Sequence, residues 1–284
     1  MPAPIRWTRR SALAGLALAP LAAHAAASPL AATPSCVLTA QSVEGPYYFD
    51  PGLLRQDITE SHPGAPLTIR IVVMDIAGCT PLAGARVDVW HARADGLYSG
   101  YAHQGDDHAI DTSGGTFMRG TQIADAQGEA VFRSVYPGWY EGRTTHVHFK
   151  IFVDAKHLLT GQMFFPDALS EYIYGHVSDY ARKRTRDTFN ANDDIALMDK
   201  ARGGYCDLRE EATGYLATLI VGVDRTAAPV AAEMPGPPLA DGTRPPPPPG
   251  GFRGPPPEGL PPPRMTRPEV GIVPGIPLSR QKRG

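Results

Sequence analysis

Tyr136-Pro137-Gly138-Trp139-Tyr140-Glu141-Gly142-Arg143-Thr144-Thr145-His146-Val147-His148-Phe149 runs from a turn into what reads as a strand. From Tyr140 to His148 it sets one phenol, one guanidinium and two imidazoles. Side chains alternate across a strand, so His146 and His148 share one face and Val147 and Phe149 the other, with the imidazoles rooted roughly 6.5 Å apart. Two imidazoles so placed can grip one metal ion, although the same pattern also describes the polar face of a half-buried sheet. Arg143, three residues before the first histidine, is where a cation would stabilise a bound anion. Tyr140 offers a phenol with an ordinary pKa of about 10, so only a strongly Lewis-acidic metal would hold it as phenolate at neutral pH.

Working outward, the segments Leu67 to Met74, Arg86 to Trp90, Ala130 to Val135, His146 to Val153 and Tyr215 to Val223 carry β-branched and aromatic residues bounded by Gly, Pro or Asp turns. Their spacing predicts an all-β fold, a β-sandwich of mostly antiparallel strands with short helices in its loops. The helical candidates are Asp167 to Tyr174 and Val177 to Arg186, with the basic cluster Arg182-Lys183-Arg184 read as a solvated face. A strand ending at Trp90 and a turn at Asp95-Gly96 present Tyr98 on the far side. His91, beside Trp90, reads as structural. Glu44-Gly45-Pro46-Tyr47-Tyr48-Phe49-Asp50 is a tight turn flanked by aromatics.

The ends of the chain have a different composition. Arg6, Arg9 and Arg10 precede an apolar run from Ala12 to Ala23 and small residues to Ala27, so residues 1–27 are expected to be a signal peptide. Thr8-Arg9-Arg10-Ser11-Ala12-Leu13 resembles a twin-arginine signal, which implies export of a folded protein to a periplasmic or extracellular location. The apolar run is too short and too alanine-rich for a membrane span, so none is expected after its removal. In an oxidising compartment Cys36, Cys79 and Cys206 form one disulfide and leave one thiol; Cys36 with Cys79 is favoured, since both lie at the edge of segments the sandwich brings together. Residues 28–228 are expected to form the folded domain. More than half of the chain's 30 prolines follow, and 229–284 reads as an extended Pro-rich tail without a core. A net charge of -2 over 284 residues gives no electrostatic reason to expect nucleic acid or an anionic membrane as partner.

Pro137-Gly138-Trp139-Tyr140 followed by Arg143-Thr144-Thr145-His146-Val147-His148-Phe149 resembles the iron-binding segment of the intradiol ring-cleavage dioxygenases. The run from Cys79 through Trp90 to Gly100 is similar to the family segment that delivers a first tyrosinate, which falls on Tyr98. The resemblance implies a non-haem Fe(III) held by Tyr98, Tyr140, His146 and His148, with Arg143 as active-site cation and Gln162 behind it. It implies that a catechol-type aromatic and O2 are the small-molecule partners, and that Tyr140 leaves the metal and accepts a substrate proton. It sets Glu44 to Asp50 near the substrate pocket, with Tyr47 or Tyr48 as its lining. Some family members assemble, so an oligomer is an open expectation. The match is loose between Tyr98 and Tyr140, where His103, His108 and Gly114-Gly115 lie, which leaves the particular diphenol open.

Two other readings compete on the residues alone. A His-x-His zinc or ferrous enzyme would want a third histidine or a carboxylate, for which Glu141 is the acidic neighbour in sequence. A β-sandwich binding module with a Pro-rich stalk would leave the histidines without a metal, but it has no physical reason to gather Tyr98, Tyr140, Arg143, His146, His148 and Gln162.

Overall fold

The computed structural model describes residues 37–228. The expected signal peptide, the Pro-rich tail and Cys36 lie outside the described residues. In chain order the elements are β1 (Pro66–Asp75), β2 (Thr80–Pro81), β3 (Arg86–Trp90), β4 (Arg119–Ile123), β5 (Glu129–Val135), β6 (His146–Val153), β7 (Lys156–Phe164), α1 (Asp167–His176), a 3-10 turn (Ser178–Tyr180), α2 (Asp194–Met198), β8 (Asp207–Glu211) and β9 (Gly214–Val223).

These strands make two sheets. In the first, β1 is central: β9 runs parallel to it on one side and pairs antiparallel with β8 beyond, while β5 and the short β2 lie antiparallel on the other. The second sheet has the order β4-β3-β6-β7, all antiparallel. The fold is thus an all-β sandwich in which β1 with β9 is the parallel exception. Alternation in β1 buries Leu67, Ile69, Ile71 and Val73, each at most 2% exposed. They share one apolar core with Val87 and Val89 of β3 and with Val147, Phe149 and Ile151 of β6. Period-two patterning therefore predicts the inner face correctly.

The outer face of the second sheet is also covered, which alternation did not predict. His146, His148 and Lys150 are as buried as the apolar residues between them. The N-terminal segment runs along β7 through Ser42 N to Thr160 O (2.9 Å), Thr160 N to Gln41 Oε1 (3.0 Å) and Gln41 Nε2 to Leu158 O (2.7 Å). Lys150 then ion-pairs with Glu44 and lies 3.7 Å over the Tyr48 ring.

The second expected helix does not form. Val177 to Arg186 holds the 3-10 turn alone, and Ala181 is already extended at ψ 123°. The basic side chains beyond it are drawn to separate partners: Arg182 to Asp106 and the Trp139 carbonyl, Arg184 to Glu141, and Arg186 to Asp167. Those contacts outweigh a weak helix propensity. Arg182 is consequently not part of a solvated face; it stacks 4.0 Å from the Trp139 ring centroid. Cys79 is disulfide-bonded, and Cys206 is a free thiol that burial pushes up to about 12. Among the described residues no helix is long and apolar enough to cross a membrane.

Candidate metal centre

The register of the second sheet sets Trp90, His148 and Gln162 in one row across β3, β6 and β7. Side chains in such a row share a face. The Trp90 indole stacks on the His148 imidazole with centroids 4.8 Å apart and planes 11° from parallel, fixing that ring. Two loops then bring phenols over the row. After β3 the chain turns at Gly96 (φ 84°) and returns with Tyr98; before β6 the stretch Pro137 to Arg143 carries Tyr140. The loops meet backbone to backbone through two glycines. A methyl group on Gly138 would collide with the carbonyls of Arg93 and Ala94, and one on Gly96 with the carbonyl of Trp139.

His146 is the centre of the cluster. Its Nδ1 lies 2.6 Å from the Thr144 carbonyl, which can only accept, so Nδ1 carries the proton and Nε2 presents a lone pair. Around that Nε2 lie His148 Nε2 at 3.0 Å, the Tyr140 hydroxyl at 3.2 Å, the Tyr98 hydroxyl at 3.4 Å and Arg143 Nη1 at 3.4 Å. Tyr98, His146 and His148 are each at most 3% exposed, while Tyr140 is half-buried.

These residues fit one cation. Atoms bound to a metal at about 2.1 Å are spaced by roughly 3.0 Å across a right angle and roughly 3.4 Å across a tetrahedral one. Buried His148 Nδ1 has no hydrogen-bond partner among the described residues, so nothing there competes for the orientation that the stacked Trp90 and the facing His146 impose. Burial holds both imidazoles well below their usual range, with the Arg143 charge adding to this at His146 and the His146 and Arg143 charges at His148. They are therefore neutral, the form that ligates. Burial raises both phenols, and the neighbouring Tyr140 raises Tyr98 further, whereas Arg143 pulls Tyr140 part of the way back. Phenolate here requires a further positive charge.

Arg143 is gripped on two sides. Its Nε donates to Asp193 Oδ2 at 2.9 Å and its Nη2 to Gln162 Oε1, while Gln162 Nε2 donates to the Val43 carbonyl at 2.9 Å. The sequence-predicted Tyr98, Tyr140, Arg143, His146, His148 and Gln162 thus all meet. Tyr47 stacks on Tyr98 with centroids 4.5 Å apart, whereas Tyr48 turns away to donate to Asp88 at 2.9 Å. Glu141 is at the surface with Arg184. Among the described residues no group of three or more His, Cys, Asp or Glu gathers as a metal site. Sequence reading did not find Asp193, Trp90's stacking role or the Lys150–Glu44 pair. For Trp90 the signal was present, since it ends a strand that the sandwich sets beside β6; for Asp193, 50 residues from Arg143 at the start of the short α2, nothing in the sequence tied it to the site.

Comparison with known proteins bears on this arrangement. The model of a family described as dioxygenase matches residues 43–197, more than half of the chain. A chlorocatechol 1,2-dioxygenase of Pseudomonas putida is 33% identical over 150 residues, covering 45% of this chain and 54% of that one. A catechol 1,2-dioxygenase of Acinetobacter baylyi is 26% identical over 185 residues, covering 55% and 57%. The chain spans about half the length of these bacterial relatives. An intradiol ring-cleavage dioxygenase from Tetranychus urticae has a similar structure, with a TM-score of 0.62 at 25% identity, covering 68% of this chain and 96% of that one.

Two outcomes are expected. Replacing Gly138 by Ala forces the two phenol-bearing loops apart and lowers metal retention by the purified protein, read by metal analysis after dialysis; full retention would show the loops to be independent. The second concerns His91, buried between the Ala92 carbonyl and Ser134 Oγ and pushed down to about 4 by burial. An unfolded histidine binds a proton below about pH 6.5, which the folded one refuses until about 4. Stability of the metal-free protein should therefore fall as pH drops through that window, by up to about 1.4 kcal/mol per pH unit from this residue. Urea unfolding at stepped pH checks it, and His91→Asn should lower the slope by that one proton's share, the part due to His146 and His148 remaining.

Proposed function

The chain belongs to the intradiol ring-cleavage dioxygenase family, and from that premise we propose that it cleaves a catechol-type aromatic between its two hydroxyls, with Tyr98, Tyr140, His146 and His148 holding a non-haem ferric ion. The observation that carries the reading is the convergence of two phenols, one neutral imidazole and one guanidinium within 3.0–3.4 Å of a second imidazole's lone pair. In the overall reaction catechol and O2 give a cis,cis-muconate-type dicarboxylate, with both oxygen atoms retained and two protons released.

A bound ferric ion would supply the charge that ionises the phenols and would accept the two oxygens of a catechol dianion. The rest falls to this chain. Tyr98 is sealed at 1% exposure beneath Tyr47 and stays in place. Tyr140 sits half-buried on a turn closed by its bridge to Arg143, so it is the phenol able to swing out, and its Oη takes a proton from the incoming hydroxyl. Arg143 keeps Nη1 pointed into the site, where its fixed charge stabilises the carbanionic ring carbon that meets O2. Gln162, with its amide nitrogen committed to Val43, presents its oxygen to Arg143 and holds it there. Tyr47 forms the wall against which the aromatic ring lies. We further propose export to a periplasmic or extracellular location, which the disulfide-bonded Cys79 supports.

The test is a visible absorption spectrum with metal analysis, before and after catechol is added without oxygen. A red-brown tyrosinate-to-ferric band that moves to longer wavelength is expected; a protein that stays colourless after Fe(III) loading would sink the reading. His148→Ala is expected to lose iron. Tyr140→Phe should keep iron, shift the band and slow turnover by roughly 10²-fold. If both variants kept full colour and activity, the ligand assignment would be wrong.

A further inference from the structure

We propose that Asp193 is the positioning residue for Arg143: it fixes the guanidinium in one orientation, so that a single donor, Nη1, faces the reacting aromatic. The inference rests on the function proposed above for what Arg143 acts on, but its geometric content stands apart from it.

A guanidinium offers donors in three directions. In Arg143 one is taken by Asp193 Oδ2 and one by Gln162 Oε1, leaving Nη1 beside His146 Nε2 at 3.4 Å. Gln162 is neutral and comes from β7, so it restrains the tip of the side chain. Asp193 restrains Nε, nearest the stem, and supplies the opposite charge. The two restraints together remove rotation about the last side-chain bonds.

The carboxylate is itself immobilised. Oδ2 also receives Thr144 N at 2.7 Å, and Oδ1 receives Ile195 N and Ala196 N at 2.9 and 2.8 Å, the first turn of α2. The Asp193 side chain is 0% exposed and that of Arg143 14%. All four partners are N–H donors, so the position demands a group that only accepts. Serine would cap α2 about as well, and asparagine would have to turn its NH2 toward one set of donors. Neither can serve the helix and Arg143 together. A buried carboxylate is also strongly disfavoured unless paired, which makes the Arg143 contact the reason for an acid here.

The experiment compares Asp193→Ser, Arg143→Met and the double variant, each checked for iron content. Asp193→Ser should keep its iron, lower kcat roughly 10- to 100-fold and leave KM for catechol within about threefold. The double variant, which leaves no unpaired buried charge, should be no slower than Arg143→Met alone, because Asp193 acts through Arg143. A role confined to capping α2, which serine preserves, predicts instead an Asp193→Ser enzyme with kcat within twofold of the parent, and that result would overturn the proposal, as would losses that multiply in the double variant. Hydrogen exchange at Arg143 Nε–H, followed by nitrogen-15 NMR on metal-free protein, decides the point even if the parent cleaves no catechol. Slow exchange in the parent and fast exchange in Asp193→Ser support the proposal; equal rates overturn it.

Discussion

The 2.6 Å hydrogen bond from His146 Nδ1 to the Thr144 carbonyl is the constraint on which the site depends. It settles the tautomer, and with it the lone pair around which the other imidazole, both phenols and Arg143 are arranged. Thr144 must therefore be rigid, and it is held from several sides: its N–H by Asp193, its hydroxyl by Arg186 at 2.8 Å and by Asn190 at 3.0 Å. Arg186, 2% exposed at its side chain, is in turn paired with Asp167 at the start of α1. Breaking one partner of a buried pair costs about 3–5 kcal/mol, whereas an exposed pair such as Arg133 with Asp57 contributes about 0–1 kcal/mol. That difference picks out Arg186–Asp167, Arg143–Asp193 and Lys150–Glu44 as the ion pairs that shape the site.

The sandwich supplies the site by using both faces of one strand. The apolar face of β6 enters the core that β1 and β3 share. Its other face carries His146, His148 and Lys150, and would be wet but for the segment Gln41 to Asp50 and the loops around Tyr98 and Tyr140. Aromatic residues suit this cover, because a ring fills space while a phenol tip such as that of Tyr48 or Tyr101 can still hydrogen-bond. Tyr48 lies against Trp90 and reaches Asp88; Tyr101 donates to the Tyr48 carbonyl; Tyr47 stacks on Tyr98. The result is a buried cluster whose sides are aromatic rings and whose base is the imidazole pair.

What could be read from the sequence follows the range of each signal. Strand alternation is local, so β1, β3, β5, β6 and β9 were legible within a residue or so, and α1 with them. The strands that escaped, β2, β4, β7 and β8, are short, polar or interrupted by glycine, and pairing with neighbours makes them strands. The Val177 to Arg186 stretch failed for the converse reason: Arg182 and Arg186 find partners that a helix would not let them reach. At the site, Tyr98, Tyr140, Arg143, His146, His148 and Gln162 lie in motifs with fixed spacing. Asp193 lies in no motif, and Tyr47 could not be told from Tyr48, because which ring faces the cluster depends on Asp88 and Lys150, far away in the chain.

Arg119 and Arg143 show how the same side chain is put to different uses around one cluster of aromatic rings. Arg119 is 1% exposed and bonds Ser99 through both its hydroxyl and its carbonyl at 2.8 Å. Its guanidinium lies 4.3 Å over the Phe49 ring. No carboxylate pairs with it among the described residues, and burial pushes its pKa down to about 10. Cation–π contact and backbone oxygen offset the desolvation that an acid would otherwise balance. A guanidinium held in that way is turned toward the chain, and it locks the residue after Tyr98 against the sheet. Arg143 has its charge balanced by Asp193 at the stem, which directs its Nη1 to His146 Nε2 at 3.4 Å, whereas Arg119 Nη1 is buried without a hydrogen-bond partner among the described residues. The placement of the acid therefore separates the guanidinium that braces a loop from the one turned toward the imidazole pair.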